Sequence, residues 1–435
     1  MTRPRFGFPR ISAALAVLAF LAASPALPSG FQVMTQDAKA MGMGLAFTAV
    51  ADDPSAIFYN PAGLGWQKHF EAQIGASFLS KVKGDFDGSN PFPGDGVHEN
   101  QHKTTFTVPN LYIVAPLTNE INFGLGVFAP YGLGYRWDNP DTFSGRFVAQ
   151  NTFVQTTDIN PVLSFQATPS FAVAVGADYR FSKVQLENDE AAENPFTQSF
   201  VNVAHVKLNS DLTDNHGWGW NAGIMYKPVP EFSLGASYRS KIKIDYDGTA
   251  KFTQILTGNP VVDAGVAAKL PTGNPAVQTS IDFPASLNLG AAFIAGGFLV
   301  SLEADWTQWS SFKELAIHFP DLTGLDPAVR HTDWKNSWAY RAGLEKKFGT
   351  FAVRAGYYKD KTPQPTQDAG PLLADNDRNG YTLGFGFGTD RWGIDVSDLY
   401  LKVKDINTVG NSNDGYYGKF RETVNVFAMS LRLAF

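Results

Sequence analysis

The chain has 435 residues, no cysteine, 41 glycines, 14% aromatic residues and a formal charge of −6, which excludes disulfide scaffolds, Cys-ligated metal centres and a general nucleic-acid binder. With 35 Phe, 15 Tyr and 9 Trp it can bury enough apolar surface to escape disorder. A mean hydropathy of −0.14 excludes a polytopic helical membrane protein but allows a transmembrane β-barrel, whose alternating strands hide their apolar content from the average.

In chain order, Arg3, Arg5 and Arg10 precede the uncharged apolar residues 11–23 and the small-residue site Ser24-Pro25-Ala26. This is the pattern of a secretory signal peptide, assigned to residues 1–26. Removing 26 of 435 residues leaves 409 and takes three arginines with it, so the charge moves from −6 to −9.

Residues 31–66 do not alternate. They are apolar and rich in Gly and Ala, with turn cues at Asp52-Asp53-Pro54 and Asn60-Pro61-Ala62-Gly63. Too apolar for a free tail, this segment is expected to plug a barrel lumen. The organisation predicted is a hatch over 27–68 and a barrel over 69–435.

From there period-two alternation runs to the C-terminus. Phe171, Val173, Val175, Ala177, Tyr179 and Phe181 share one face; Ala172, Ala174, Gly176, Asp178, Arg180 and Ser182 share the other. The same pattern recurs in 298–307, 334–345 and 381–388, with Trp306, Trp334, Tyr381 and Trp392 expected in aromatic girdles. The second face carries Gly, Ala and Ser with isolated charges, which suits a packed or partly wet lumen. Arg180, Arg341 and Arg354 have lumen parity and are expected to pair with Asp178, Glu303, Asp305 or Glu345.

Tight turns near 118–119, 169–170, 228–230, 296–297, 349–350 and 390–391 alternate with seven longer polar connections. Thirteen links make fourteen strands, starting near 71, 103, 121, 154, 172, 201, 233, 276, 298, 334, 351, 379, 392 and 422. The fold class is therefore all-β: a 14-stranded antiparallel transmembrane barrel with an N-terminal hatch inside it. The uncharged residues 283–302 could pass for a membrane helix, but the Gly296-Gly297 pair inside them reads as a hairpin. The final strand alternates to a terminal Phe435, a pattern that resembles the assembly signal of outer-membrane barrels.

Ser29-Gly30-Phe31-Gln32, Tyr59-Asn60-Pro61-Ala62-Gly63, residues 217–244, Phe283-Pro284-Ala285-Ser286-Leu287, residues 305–315 and residues 334–341 together carry a specific resemblance. The chain resembles the FadL family of outer-membrane long-chain fatty acid transporters, which includes the toluene-type hydrocarbon importers. The resemblance implies ligand capture at the outer face, a hatch containing Asn60, Pro61, Ala62 and Gly63, and sideways release at a kink in the third strand. That kink would involve Phe128, Pro130, Tyr131, Gly132 and Gly134. Read from the residues alone, Pro130 either kinks the strand or ends it; the resemblance favours the kink. It also places a carboxylate-binding cation at Arg330, with Arg146 and Lys183 as other candidates, each of which could equally be a rim charge. A second cation of the family falls at Leu186, which is apolar here and suits a less acidic ligand.

The expected partners are a fatty acid or other hydrophobic small molecule, outer-membrane lipid and the barrel assembly machinery, with no nucleic acid and no cofactor. The competing readings are a general porin, which would need no apolar hatch, and a barrel lipid hydrolase. The seven His are scattered, and neither a Ser-His-Asp arrangement nor HExxH spacing occurs, so no catalytic or metal-binding residues are assigned.

Overall fold

A computed structural model describes residues 30–210, 214–322 and 327–435. The signal peptide assigned to 1–26 lies outside the described residues.

Fourteen antiparallel strands form the wall: β1 (Glu71–Gly88), β2 (Thr105–Pro116), β3 (Ile121–Phe128, continued by Gly132–Arg136), β4 (Asn151–Thr168), β5 (Phe171–Glu193), β6 (Phe200–Ser210, continued by His216–Val229) and β7 (Phe232–Arg239, then Ile242–Gln254). They continue as β8 (Ala276–Phe283, then Ser286–Ala295), β9 (Phe298–Thr307), β10 (Ser337–Phe348), β11 (Phe351–Asp360), β12 (Arg378–Gly388), β13 (Trp392–Val403) and β14 (Gly418–Ala434). Each strand pairs with the next, and β14 returns to β1 from Glu71↔Ala434 to Gly88↔Gly418, closing the barrel. Closure removes the unpaired edges that lipid could not hydrogen-bond. The hairpin expected at Gly296-Gly297 is present, both glycines having positive φ.

Two features depart from the strand pattern. β7 and β8 are interrupted at 240–241 and at 284–285, where alternation in the sequence runs on. Trp334, expected in a girdle, is buried at 6% exposure and packs on Trp309 and Phe312 inside the barrel. β10 begins only at Ser337, so residues before it do not inherit the strand's parity. The outward aromatics of β10 are Trp338 and Tyr340.

Residues 30–66 fill the lumen. Only Asp52 in this segment is exposed. It contains two short helices, α1 (Ala38–Gly42) and α2 (Ala56–Tyr59), and a 3-10 turn over Pro61–Trp66. The small-residue face of the wall is its seat. A Cβ on Gly223, Gly235, Gly343 or Gly356 would fall between 2.1 and 2.3 Å from Asn60 Oδ1 or from hatch backbone atoms. Lumen serines donate to hatch carbonyls: Ser77 to Thr35 (2.6 Å), Ser237 to Tyr59 (2.7 Å) and Ser397 to Ala38 (2.7 Å). Gly and Ser thus do one job here, letting two backbones approach and satisfying the inner one's polar groups.

The lumen arginines are paired, whereas Glu303, also expected as a partner, accepts instead from the hatch N–H of Thr48 at 2.7 Å. Arg180 forms a two-pronged pair with Asp158 at 2.7 Å, Arg341 pairs with Asp305, and Arg354 bridges Glu345 (2.7 Å) and Asp395 (2.6 Å). Asp178 is held by Arg239 instead of Arg180.

Candidate functional site

The third strand is broken. Between its two segments, residues 129–131 leave the ladder, where Pro130 has no N–H to give. Below the break β3 pairs with β2 from Pro116↔Asn122 to Leu111↔Val127; above it β3 forms a ladder only with β4, and on its other side the wall meets it only at its outer end, where His102 N–H donates to Arg136 O at 2.8 Å. The upper part of β2 (105–110) consequently pairs only with β1. The wall has an unpaired seam there, filled by the Phe106 ring against Gly134, where a Cβ would lie 2.3 Å from the ring.

The hatch occupies the inner side of this seam. Val33 N–H donates to Pro130 O at 2.7 Å and Gly132 N–H to Phe31 O at 2.8 Å, while Gln32 bridges Tyr131. Gln36 Nε2 donates to Ala129 O at 2.6 Å. Phe128, fully buried, meets Phe58 of α2 edge-on at 5.1 Å. The plug thus satisfies the backbone groups of Ala129, Pro130 and Gly132, while Thr156 of β4 donates to Tyr131 O at 2.7 Å and accepts from Tyr131 N–H at 3.0 Å.

The Asn-Pro-Ala-Gly element anchors the other end. Asn60 caps the 3-10 turn through Ala62 N (3.2 Å), and its Nδ2 donates to Thr48 O (2.8 Å) and to Ile224 O in β6 (3.1 Å). Gly63 is pressed on the Ala51 carbonyl, leaving no room for a Cβ.

Above the hatch lies an apolar cleft whose space, counted out to its open mouth, is about 650 Å³. Phe31, Leu133, Val184, Leu186, Phe312 and Leu372 line it. A second groove of about 320 Å³ shares Val184 and Leu186 and continues past Leu208 and Tyr246. A third space, of about 420 Å³, lies beside Pro130, Tyr131 and Phe58. Phe31 stands between the cleft and the space beside Pro130. Its ring centroid is 5.9 Å from Tyr131, 5.9 Å from Phe283 and 4.9 Å from Trp309.

The cationic candidates separate. Arg330 lines the cleft, but its guanidinium is held by Asp414 through two bonds of 2.7 and 2.8 Å. Arg146 donates to Phe143 O at 2.8 Å, lies 3.7 Å from Asp189, and is not among the cleft's lining residues. Lys183 falls on the outward parity of β5, between the lumen-facing Ser182 and Val184; extending the alternation of residues 171–182 by one position would have shown this. Leu186 does line the cleft. Sequence reasoning missed two polar groups there. The buried Trp334 indole N–H has no acceptor among the described residues. Burial pushes the Asp368 carboxyl above its ordinary value, against hydrogen bonds from Asp333 N–H and Asn413. Neither could be found from spacing, because separate outer connections bring them to the cleft.

At the outer rim Asp85, Asp87 and His98 gather ligand atoms within 4.8 Å. Arg421 reaches both carboxylates at 2.6 Å, so the group is already charge-compensated.

The chain matches, over residues 19–435, a family model described as outer membrane protein transport protein (OMPP1/FadL/TodX). It is 24% identical to a long-chain fatty acid transport protein of Escherichia coli, over 97% of this chain and 98% of that one. It is also 24% identical to outer membrane protein P1 of Haemophilus influenzae, over 91% and 92%. Among solved structures, a Pseudomonas aeruginosa FadL homologue superposes with a TM-score of 0.76 at 22% identity, covering 93% of this chain and 99% of that one. The Pseudomonas putida toluene transporter TodX gives 0.70 at 18% identity, covering 92% and 98%. These likenesses show the fold.

Proposed function

The chain belongs to the OMPP1/FadL/TodX family of outer-membrane transport proteins, and on that footing we propose that it takes hydrophobic molecules passively into the cell envelope, long-chain fatty acids first among them. It acts as a carrier and not as an enzyme. The observation that supports this reading is the apolar cleft above a seated hatch, next to a wall seam that the same hatch closes. A general porin has no use for either.

The proposed route has three stages. Ligand is captured in the groove at Leu208 and Tyr246 and passes to the cleft at Leu186. Movement of the hatch segment 31–36, hinged on the anchor at Asn60-Pro61-Ala62-Gly63, withdraws Phe31 and frees the backbone of 129–132. The ligand then leaves sideways between Phe106 and Gly134, past Phe128, Pro130, Tyr131 and Gly132. Chain burial supplies affinity at about 0.8 kcal/mol per methylene. No energy input is required, since the membrane and the cell interior take up the product.

Aromatic or alkane hydrocarbons form a second reading, supported by Leu186 in the cleft and by Arg330 being already neutralised by Asp414. A ligand carboxylate must displace Asp414, whereas a hydrocarbon need not. The Trp334 N–H could serve a carboxylate or an alcohol. The barrel's last strand, ending at Phe435, is proposed as the signal read by the assembly machinery.

Uptake of labelled oleate and of toluene, measured in a host lacking its own importers, tests the reading. The native chain should raise uptake of at least one of them. Pro130→Thr combined with Gly132→Val, which allows β3 to pair through, should abolish it while assembly survives. Native-level uptake by that variant would remove the lateral route.

A further inference from the structure

The outward face of β11–β14 carries two register rows immediately beyond its outer tyrosine girdle. The girdle is Tyr357↔Tyr381↔Tyr400, one continuous row across three strands. The next row outward is Lys359↔Asn379↔Lys402↔Thr423, which reaches Lys83 on β1. Beyond it, on the same parity, come Lys361, Asp377, Lys404 and Arg421; Lys404 N–H donates to Asp377 O at 2.8 Å.

The acids here are already engaged. Asp377 holds Lys361 (2.5 Å), Asp405 holds Lys419 (2.7 Å), and Asp85 and Asp87 hold Arg421. Asp398, one row on the membrane side of Tyr400, accepts two bonds from Asn425. Lys359, Lys402 and Lys404 are exposed, and none forms an ion pair among the described residues. Three uncompensated ammonium groups therefore sit just above the apolar band, on the side of the long connections, which is the outer side.

We propose that this patch binds the phosphate-bearing headgroup of an acylated glycolipid in the outer leaflet. The acyl chains would lie along the outward apolar face below, against Leu383, Phe385 and Phe427, each of them exposed. The phosphates would meet the lysine row one step beyond the tyrosines. The position against the membrane selects a lipid over a free ion: apolar surface and cations are stacked in the order that an amphiphile presents its tails and head. The three lysines contribute as point charges near an anionic surface, each worth about five-fold in affinity.

The test uses the full chain in neutral detergent, with retained lipid read by native mass spectrometry. The probes are bisphosphorylated lipid A and its dephosphorylated form. The native chain should retain the bisphosphorylated form preferentially. The triple variant K359Q/K402Q/K404Q should lose on the order of 100-fold. K241Q/K243Q, which removes exposed lysines in and just after the interruption of β7 that have carboxylate partners, should retain native affinity. The gel shift of the heat-modifiable barrel confirms that each variant is folded. Equal retention of both lipid forms, native affinity in the triple variant, or displacement by an equal concentration of inorganic phosphate would each overturn the proposal.

Discussion

Adding a single carbon to the wall should unseat the hatch. In Gly356→Ala the new Cβ would lie 2.1 Å from Gly44 N, 2.5 Å from Gly44 Cα and 2.6 Å from the Met43 carbonyl carbon. Ordinary contact begins at 3.4 Å, so the hatch backbone must retreat by about 1.3 Å at the least. All three atoms are backbone, and no flexible side chain can absorb the clash. The retreat also strains two hydrogen bonds of 3.1 Å, Thr382 Oγ1 to Gly42 O and Gly44 N to Thr382 Oγ1. Overpacking costs about 1–3 kcal/mol, and the two bonds add about 0.5–1.5 kcal/mol each, a total of about 2–6 kcal/mol against the seated state. At about 1.4 kcal/mol per factor of ten, the unseated population rises at least about 30-fold. The Cβ points into the lumen, so the ladders of β11 with β10 and β12 are untouched. In planar bilayers the variant should conduct ions where the native chain is closed, with its barrel still heat-modifiable on gels. Gly265→Ala, in the outer-loop helix α3 (Pro260–Ala267) with open space around the site, should change nothing. A folded Gly356→Ala protein with native conductance would refute the account of the glycines as a seat.

Asn60→Ala removes two donors' worth of bonding and the acceptor for Ala62 N, costing the hatch anchor about 3 kcal/mol; limited proteolysis should cut the hatch faster while the barrel resists. Arg180→Ala leaves Asp158 buried without its partner, a loss of about 3–5 kcal/mol, and should lower the temperature at which the barrel loses its compact gel mobility. Asp414→Asn frees Arg330 for a ligand carboxylate and should tighten binding of a fatty acid roughly 10-fold, while a fatty alcohol of equal length is unaffected, as read by displacement of a fluorescent probe. Equal effects on acid and alcohol would exclude Arg330 as a carboxylate partner.

Much of this molecule is local and was therefore legible. Side-chain parity is a property of neighbouring backbone units, so the strands around 171–182 and 381–388, the six tight turns and the count of fourteen follow from the residues themselves. The hatch was legible as a segment for the same reason: residues 31–66 lack alternation and are too apolar to stay in water. What the tertiary structure decided is everything that depends on barrel closure. Register chose Asp158 as the partner of Arg180, because the two lie directly opposite each other on β4 and β5, and left Asp178 to Arg239. The late start of β10 turned Trp334 inward. The meeting of Phe31, Leu186, Phe312 and Leu372 in one cleft requires the hatch, a wall strand and two outer connections to converge, which no spacing in the chain records. The glycines show the division most plainly. Alternation placed Gly223, Gly235, Gly343 and Gly356 on the lumen face, but only the seated hatch explains their size, since the space a Cβ would need is held by residues some 160 to 310 positions earlier in the chain.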